Sequence, residues 1–198
     1  MTELVAPRNR ISLAIVLIVT GLIGWYSAFA LTLDKFAILA NPQTTLDCNF
    51  SVIVQCGKNL ESWQGAILGF PNPIVGLGGF VAPIAVGVAL LAGASFARWF
   101  WFALNVGVGL AFLFCLWLMM TSIFALGTLC PWCMVVWSVT ILMFWTLTFQ
   151  NAKSGVLGNG AVVWGERLYA WVPLITFATY LIIVIVAQVR LDFLSTLI

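Results

Sequence analysis

The chain has 198 residues, of which 63% are hydrophobic and only 7% are charged, and its net charge is +2. This composition excludes an ordinary soluble domain and indicates a membrane protein. The absence of a basic stripe and of a phosphate-binding glycine loop argues against nucleic-acid and nucleotide binding. The chain also has no histidine, so it lacks the usual proton shuttle and the commonest metal ligand, and cysteine is the obvious reactive side chain.

The first predicted element is a transmembrane helix over about residues 11–33. Arg8 and Arg10 precede this apolar run, and Ala28-Phe29-Ala30 resembles a signal-peptide cleavage site. The run of about 23 residues is longer than the roughly 7 to 15 of a signal-peptide core, and it is long enough to cross a bilayer. We therefore expect an uncleaved helix with its amino terminus in the cytoplasm.

Residues 34–70 form the longest segment outside the predicted membrane helices, and they contain Cys48 and Cys56. This spacing closes a loop that forms easily, and disulfides persist on the oxidising side of a membrane. The sequence also predicts a short amphipathic helix along the membrane surface, with Asn59 as a suitable N-cap. Its apolar residues, at helical spacing, are Leu60, Trp63, Ile67 and Phe70.

Four more transmembrane helices follow, and their apolar runs are continuous rather than alternating, which favours helices over a barrel. We predict them over about residues 73–93, 99–126, 131–149 and 171–188. Asn72 is the expected cap of the first of these, and Pro83 predicts a kink within it. The predicted fold is one all-α polytopic membrane domain over residues 1–198, with a short surface helix in its outer loop.

A second cysteine pair, Cys130-Pro131-Trp132-Cys133, opens the fourth predicted membrane helix. Pro131 suits the first helical position, where its missing N–H is not needed, so Cys130 should be the cap and Cys133 should lie in the first turn. The positive end of a helix dipole favours a thiolate, which is the species that attacks disulfides. The alternative interpretation is that these are two buried cysteines at a helix start, without a redox role.

The positive charges favour a cytoplasmic amino terminus and an extracytoplasmic carboxyl terminus. Five basic residues then lie inside, namely Arg8, Arg10, Arg98, Lys153 and Arg167, against Lys35, Lys58 and Arg190 outside. This orientation also places both cysteine pairs on the oxidising face of the membrane, whereas the reverse would expose them to a reducing cytoplasm.

Two cysteine pairs at one face indicate a relay of thiol–disulfide exchange, because a structural disulfide needs no second pair beside it. Each exchange moves two electrons and needs a thiolate that attacks a neighbouring disulfide. The loop pair can meet soluble dithiols, whereas the helix pair faces the bilayer, where a lipid-soluble quinone is the abundant two-electron acceptor. These residues therefore predict a dithiol-to-quinone oxidoreductase of the cell membrane.

A different class of function also fits the cysteine count. Four thiolates can bind a structural zinc ion, which would make the protein a non-catalytic membrane scaffold. The wide spacing of the loop pair speaks against zinc, whose cysteine ligands usually lie two to four residues apart. A transporter is less well supported, since no predicted membrane helix contains a buried charge. Cys115 lies mid-helix without a partner at a useful spacing, and we interpret it as a small buried hydrophobe.

The order of these motifs resembles the vitamin K epoxide reductase family. Cys48 and Cys56 are followed by Ser62, by Asn-x3-Gly at Asn72 to Gly76, and by a CxxC pair that opens a later helix. The resemblance covers about residues 11–150. The segment Cys-Gly-Lys-Asn-Leu-Glu-Ser-Trp-Gln-Gly is similar to actinobacterial members in particular. The resemblance implies a four-helix bundle around a quinone, with a fifth helix as in many bacterial members.

The resemblance also implies roles for the four cysteines. Cys48 would take electrons from a redox partner, Cys56 would bond transiently to Cys130, and Cys133 would be the thiolate that faces the quinone. In many bacterial members a thioredoxin-like domain follows the fifth helix, whereas this chain ends at Ile198. We therefore expect a separate extracytoplasmic partner, a DsbA-like or other thioredoxin-fold protein, and a menaquinone rather than a ubiquinone as acceptor.

Three further residues are candidate quinone contacts. Asn72 would donate to a quinone carbonyl, although a capping role fits the same site, and Ser62 would support the loop or the quinone-side network. Vertebrate members have a tyrosine four residues after the CxxC pair, where this chain has Trp137, which also fits the core or an aromatic belt. An indole is not a phenolic acid. We therefore expect quinone reduction coupled to disulfide formation, with vitamin K quinone or epoxide reduction as the alternative.

Overall fold

The computed structural model describes residues 4–5 and 10–193 of the chain. Within them, five helical segments are long and apolar enough to cross a membrane, which confirms the predicted all-α polytopic fold. Arg8, one of the predicted cytoplasmic charges, lies outside the described residues. The helices are α1 (Arg10–Ala40), α2 (Gly57–Glu61), α3 (Asn72–Gly79), α4 (Val81–Leu91), α5 (Arg98–Met120), α6 (Pro131–Lys153), α7 (Asn159–Tyr169) and α8 (Val172–Leu191).

The second membrane-spanning segment consists of α3 and α4, which are separated at Phe80. Pro83 explains the interruption, because it has no N–H to donate to the carbonyl of Gly79 four residues earlier. The kink predicted at this proline is therefore present as a break in the helix. At the end of α5, residues Thr121–Leu126 form a π-helical turn that continues the third segment.

α1 lies at the centre of the bundle, where it packs against α3, α4 and α6. Its contact with α4 is close because glycines lie at the crossing. A Cβ atom added to Gly87 would lie 2.9 Å from the carbonyl oxygen of Ala14, so only glycine fits there without a backbone shift. Small residues of this kind allow the close helix packing that holds bundles together in lipid.

α1 is longer than predicted, because it ends at Ala40 and not at about residue 33. Its 31 residues span about 46 Å at 1.5 Å per residue, against about 30 Å for the hydrocarbon core. The last turns bury Ile38 in a cluster that also contains Leu31 and Leu46. This packing outside the bilayer extends the helix, and Asp34 and Lys35 consequently lie on the helix rather than in a loop.

The outer loop contains a short helix, but its start and length differ from the prediction. α2 begins right after Cys56, so Asn59 lies inside it and is not its cap. A 3₁₀ turn over Trp63–Ala66 follows, and Ser62 caps that turn by accepting a hydrogen bond from the N–H of Gly65. Asn59 instead donates its side-chain amide to Thr128, which the sequence pattern did not indicate.

The two ends of the bundle differ in chemistry. At one end, strand β1 (Leu4–Val5) pairs antiparallel with β2 (Phe96–Ala97). The guanidinium of Arg10 donates to the carbonyls of Leu90 and Ala94, and that of Arg98 donates to the carbonyl of Val156. Cys48, Cys56 and Cys130 share one buried cluster at the other end. Arg10 and Arg98 therefore lie at the end of the bundle away from the cysteines, whereas Lys35 and Lys58 lie at the cysteine end.

Residues 150–169, which lie between the last two predicted membrane helices, are largely helical. α6 continues to Lys153, and α7 packs back against it. The contact is close at Gly165, where an added Cβ would lie 2.7 Å from the backbone carbon of Ala152. The ammonium of Lys153 lies 4.7 Å from the ring centre of Tyr169, a cation–π contact that ties the two helices together.

Candidate redox site

The outer loop contains the predicted disulfide, between Cys48 and Cys56, with their Cα atoms 5.8 Å apart. Both cysteines are buried. The side-chain oxygen of Asn49 holds the loop in shape, because it accepts hydrogen bonds from the backbone N–H groups of Cys56 at 3.0 Å and Gly57 at 3.3 Å. The disulfide therefore lies in a structured loop, immediately before the first turn of α2.

The second cysteine pair lies at the start of α6, as the sequence predicts. Pro131 is the first helical residue, and Cys130 is the cap, with its sulfur accepting the backbone N–H of Cys133 at 3.4 Å. Both cysteines are free thiols in this structure. Cys130 is fully buried, whereas Cys133 is partly exposed. One helical turn thus directs the two sulfurs toward different surroundings.

Backbone hydrogen bonds hold the loop against the start of α6. Val54 and Leu129 form an isolated parallel bridge. The N–H of Gln55 donates to the carbonyl of Leu129 at 3.0 Å, and the N–H of Leu129 donates to the carbonyl of Ile53 at 2.7 Å. Since Cys56 and Cys130 each follow this bridge closely in sequence, it brings the two cysteine pairs to the same place.

Side chains strengthen this attachment on both sides of the bridge. The amide of Asn59 donates to the hydroxyl of Thr128 at 2.9 Å. Thr128 is fully buried, and its own backbone is bonded to Ser122 in the π-helical turn. Cys48, Cys56 and Cys130 belong to one buried apolar cluster, against which Trp132 and Cys133 pack. The two cysteine pairs therefore lie in one buried neighbourhood, as disulfide exchange between them requires.

A cavity of about 500 Å³ lies among the membrane-spanning helices beneath the loop, and Cys133 is part of its wall. Cys48, Cys56 and Cys130 are not among the lining residues. Most of the wall is apolar, contributed by α1, α3, α4, α5 and α6. A largely apolar cavity with a few polar groups is typical of a small-molecule site. One sulfur of the helix pair thus faces the cavity, and the other belongs to the cluster under the loop.

Asn72 lines this cavity, but it does not cap the helix. It is the first residue of α3, and Pro71 occupies the cap position, so the predicted capping role was wrong. Its side-chain N–H donates to the carbonyl of Gln64 at 2.7 Å. Its side-chain oxygen is buried and has no hydrogen-bond partner among the described residues. A buried acceptor without a partner is costly, and it indicates a place for a ligand donor.

Ser62 and Trp137, the other two predicted contacts, also line the cavity. The Ser62 hydroxyl is already occupied, since it donates to the carbonyl of Asn59 at 2.8 Å and accepts from the N–H of Gly65 at 3.2 Å. Its geometry therefore favours support of the loop. Trp137 is buried in α6, one turn after Cys133, and presents an aromatic wall to the cavity.

Two further residues lie at the site. The sequence indicates no role for Asp34, and it indicates that Cys115 is a small buried hydrophobe, whereas Cys115 is only partly buried. Cys115 lines the cavity together with Cys133, and its sulfur lies 3.9 Å from the Thr140 hydroxyl. A carboxylate oxygen of Asp34 lies 3.4 Å from the sulfur of Cys48. No local pattern marks either residue, because their neighbours lie 14 or more positions away in the chain.

The four-cysteine zinc site has no counterpart in the described part of the chain. There, the potential metal-ligating side chains that lie within 4.8 Å of one another are Asp34, Cys48 and Cys56, without Cys130 and Cys133. The sulfurs of Cys48 and Cys56 are bonded to each other, so they are not thiolates available to a metal. This geometry favours redox chemistry over a structural zinc site.

Comparison with known proteins yields one family. The Vitamin K epoxide reductase family matches residues 15–148, which is more than half of the chain. The matched segment begins in α1, ends in α6 and includes both cysteine pairs, the cavity-lining asparagine and the outer loop. No curated protein matches the chain.

The cluster beneath the loop predicts which sulfurs can bond across the two pairs. In a Cys48→Ala, Cys133→Ala double variant, Cys56 and Cys130 are the free thiols at this end of the bundle. We expect mild oxidation to join them in most molecules, because both are buried in the same cluster. Mass spectrometry of peptides, after alkylation of the remaining thiols, measures the linked fraction.

The matched control is a Cys48→Ala, Cys130→Ala double variant, which leaves Cys56 and Cys133. Its linked fraction should be several-fold lower, since the sulfur of Cys133 faces the cavity. Equal fractions in the two variants would contradict the arrangement described here, as would the absence of any link between Cys56 and Cys130.

Proposed function

Because the chain belongs to the vitamin K epoxide reductase family and is therefore an oxidoreductase, we propose that it oxidises dithiols outside the cytoplasm and reduces a membrane quinone. The observation that carries this proposal is the division of the helix pair. Cys133 lines an apolar cavity among the membrane helices, whereas Cys130 lies in the buried cluster beneath the loop disulfide. Because its two sulfurs have different surroundings, the helix pair can exchange electrons both with the loop pair and with a molecule in the bilayer.

The cavity fits a quinone in size and in polarity. Its volume of about 500 Å³ lies within the range of small-molecule sites. Trp137 offers a flat apolar surface, and Asn72 offers a buried oxygen without a partner. That oxygen can accept a hydrogen bond from a hydroxyl of the reduced ring, so the orientation seen here suits a quinol better than the predicted donation to a quinone carbonyl.

The cysteines act in two exchanges. A dithiol partner reduces the Cys48–Cys56 disulfide and leaves as a disulfide itself. The Cys56 thiolate then attacks the sulfur of Cys130 in an oxidised helix pair, and Cys133 leaves as a thiolate. Cys48 next attacks Cys56, which restores the loop disulfide and releases Cys130. The outcome is an oxidised loop pair and a reduced helix pair, the combination present in this structure.

The quinone accepts two electrons and two protons from the helix pair, which thereby becomes a disulfide again. The protein holds the acceptor beside Cys133 and excludes water with the apolar wall. We favour a menaquinone over a ubiquinone because of the resemblance to actinobacterial members. None of the three tyrosines is among the described residues that line the cavity, so no phenol is placed to donate a proton there, and we propose quinone rather than epoxide reduction.

The partner in this scheme is a DsbA-like or other thioredoxin-fold protein, whose dithiol must reach the outer loop. The side chains of Phe50 and Val52 are exposed at the tip of this loop, next to the disulfide. We place the loop outside the cytoplasm and the Arg10 and Arg98 end inside, because disulfides persist only on the oxidising side and positive charges favour the cytoplasmic side.

We propose that the cavity opens to the lipid between two helix layers. α3 and α4 pack on α1, whereas α5 packs on α6, and the cavity separates them. Small residues line both sides of this gap, namely Gly76, Gly79, Ala82, Ala103, Gly107 and Ala111. An opening lined by these small residues would admit the isoprenoid tail of a membrane quinone, with its head group in the cavity.

The proposed orientation predicts which positions a membrane-impermeant maleimide reaches in intact cells. In a Cys48→Ser, Cys56→Ser background, Val52→Cys introduces a thiol at an exposed site of the outer loop, and Val163→Cys does so on α7 at the other end. We expect labelling of position 52 in intact cells, and of position 163 only after the membrane is permeabilised. The opposite result would reverse the topology.

The proposed role of Cys133 predicts the loss of quinone reduction on its replacement. With purified protein, a quinone and a reduced thioredoxin-fold partner, Cys133→Ala should lower the rate by about 100-fold or more, because no disulfide can re-form in the helix pair. Cys115→Ala is the matched control, since it removes the other cavity thiol, which belongs to neither cysteine pair, and it should retain a rate much closer to that of the parent protein. Normal turnover of Cys133→Ala, measured as quinone absorbance, would refute the proposal.

The lateral opening predicts a dependence on tail length. Gly79 and Gly78 are neighbours with open space around them, but only Gly79 lines the cavity. We expect Gly79→Leu to raise the KM for a long-tailed quinone about tenfold, equivalent to about 1.4 kcal/mol, while the KM for the same head group without a tail stays unchanged. Gly78→Leu should alter neither value. An equal rise in KM for both quinones would contradict the proposal that the tail lies beside Gly79.

A further inference from the structure

A carboxylate lies against the loop disulfide. The Oδ2 atom of Asp34 is 3.4 Å from the sulfur of Cys48, and it lies within 4.8 Å of the sulfur of Cys56. A disulfide sulfur has no proton, so this is a contact and not a hydrogen bond while the loop is oxidised. Once the disulfide is reduced, the Cys48 thiol can donate its proton to this oxygen.

The position of Asp34 is set by the fold and not by an ion pair. It lies half-buried on the part of α1 that extends beyond the bilayer, and no basic group lies within 4 Å of its carboxylate in the described part of the chain. The adjacent Lys35 directs its ammonium to the carbonyl of Leu60 at 2.6 Å. The other nearby carboxylate, Asp47, is exposed and does not belong to the group around the two sulfurs.

We propose that Asp34 is the proton carrier of Cys48, which takes the proton when Cys48 attacks and returns it when Cys48 leaves. This role rests on the proposed relay, and it names the acid–base group that the relay needs at the loop. The chain has no histidine for this task. A carboxyl group in direct contact with the reacting sulfur is suited to it, since a general acid or base must lie within reach of the proton it transfers.

The proton balance closes over one cycle. When Cys48 attacks the Cys56–Cys130 disulfide, the Cys48–Cys56 bond forms. The Cys56–Cys130 bond breaks, and its electron pair stays on Cys130. The proton of the Cys48 thiol passes to the carboxylate of Asp34. When the partner later resolves its mixed disulfide with Cys48, the partner disulfide forms and Cys48 leaves with the electron pair. Asp34 then returns the proton to the Cys48 sulfur and becomes a carboxylate again.

The role can be tested on the loop pair alone. In full-length protein with Cys130→Ala, dithiothreitol reduces the Cys48–Cys56 disulfide, and quenching with a maleimide followed by mass spectrometry gives the rate between pH 6 and pH 9. Burial, together with the nearby Asp47, raises the pKa of Asp34, which favours the protonated carboxyl that can act as the donor. We expect Asp34→Asn to slow reduction about tenfold or more at pH 6, because Cys48 then leaves without this proton donor. The difference should shrink toward pH 9, above the ordinary thiol pKa of about 8.5, where a thiolate leaves unaided.

Two variants separate this role from a structural one. Asp34→Glu keeps the carboxyl group and should retain the pH dependence of the parent, whereas Asp47→Asn removes an equal charge nearby and should change the rate less than about twofold at every pH. A rate ratio for Asp34→Asn that is constant across the pH range would overturn the proposal, as would an equal effect of Asp47→Asn. If Asp34→Asn does not fold, Asp34→Ser supports the same comparison.

The assay contains neither a quinone nor a protein partner. A failure of quinone reduction would therefore disprove the proposed function and leave this measurement unaffected. Conversely, a pH-independent effect at Asp34 would remove the proton carrier and leave the relay of disulfides in place.

Discussion

The backbone bonds between the outer loop and Leu129 are the constraint on which the site depends. Both polar groups of the Leu129 backbone are bonded to the segment Ile53–Gln55. Near the hydrocarbon, an unpaired N–H or C=O has no water to replace the lost partner, so lifting the loop is costly. The bridge therefore keeps the loop disulfide over the start of α6, and the distances among the cysteines follow from it.

The sequence predicts well those features that depend on near neighbours in the chain. The apolar runs predict the membrane helices, and proline at the first position of α6 predicts the capping role of Cys130. The pairing of Cys48 with Cys56 follows from a short loop. In each case the deciding residues lie close together in the chain, within one helix or one short loop, so a local pattern can reveal them.

The features that escape prediction depend on contacts between distant segments. Asn59 is a residue type that often caps helices, but its side chain donates a hydrogen bond to Thr128, which lies 69 positions away in the chain. Residues 34–40 look like the start of a loop, but the burial of Ile38 extends α1 through them. Asn72 is the intermediate case. The sequence predicts its position at the start of a helix. Its side-chain oxygen is left without a hydrogen-bond partner because of the contact with Gln64, which the sequence does not predict.

α8 lies outside the segment shared with the family, yet it closes one side of the site. Ile183 and Ala187 pack in the cluster that contains Cys133 and Trp137, and the Tyr180 hydroxyl donates to the carbonyl of Ser138 at 2.6 Å. A thiol bordering on lipid meets whatever oxidants dissolve there, and its oxidation beyond a disulfide is largely irreversible. α8 therefore covers Cys133 on that side and shields its sulfur from electrophiles and peroxidised acyl chains dissolved in the lipid.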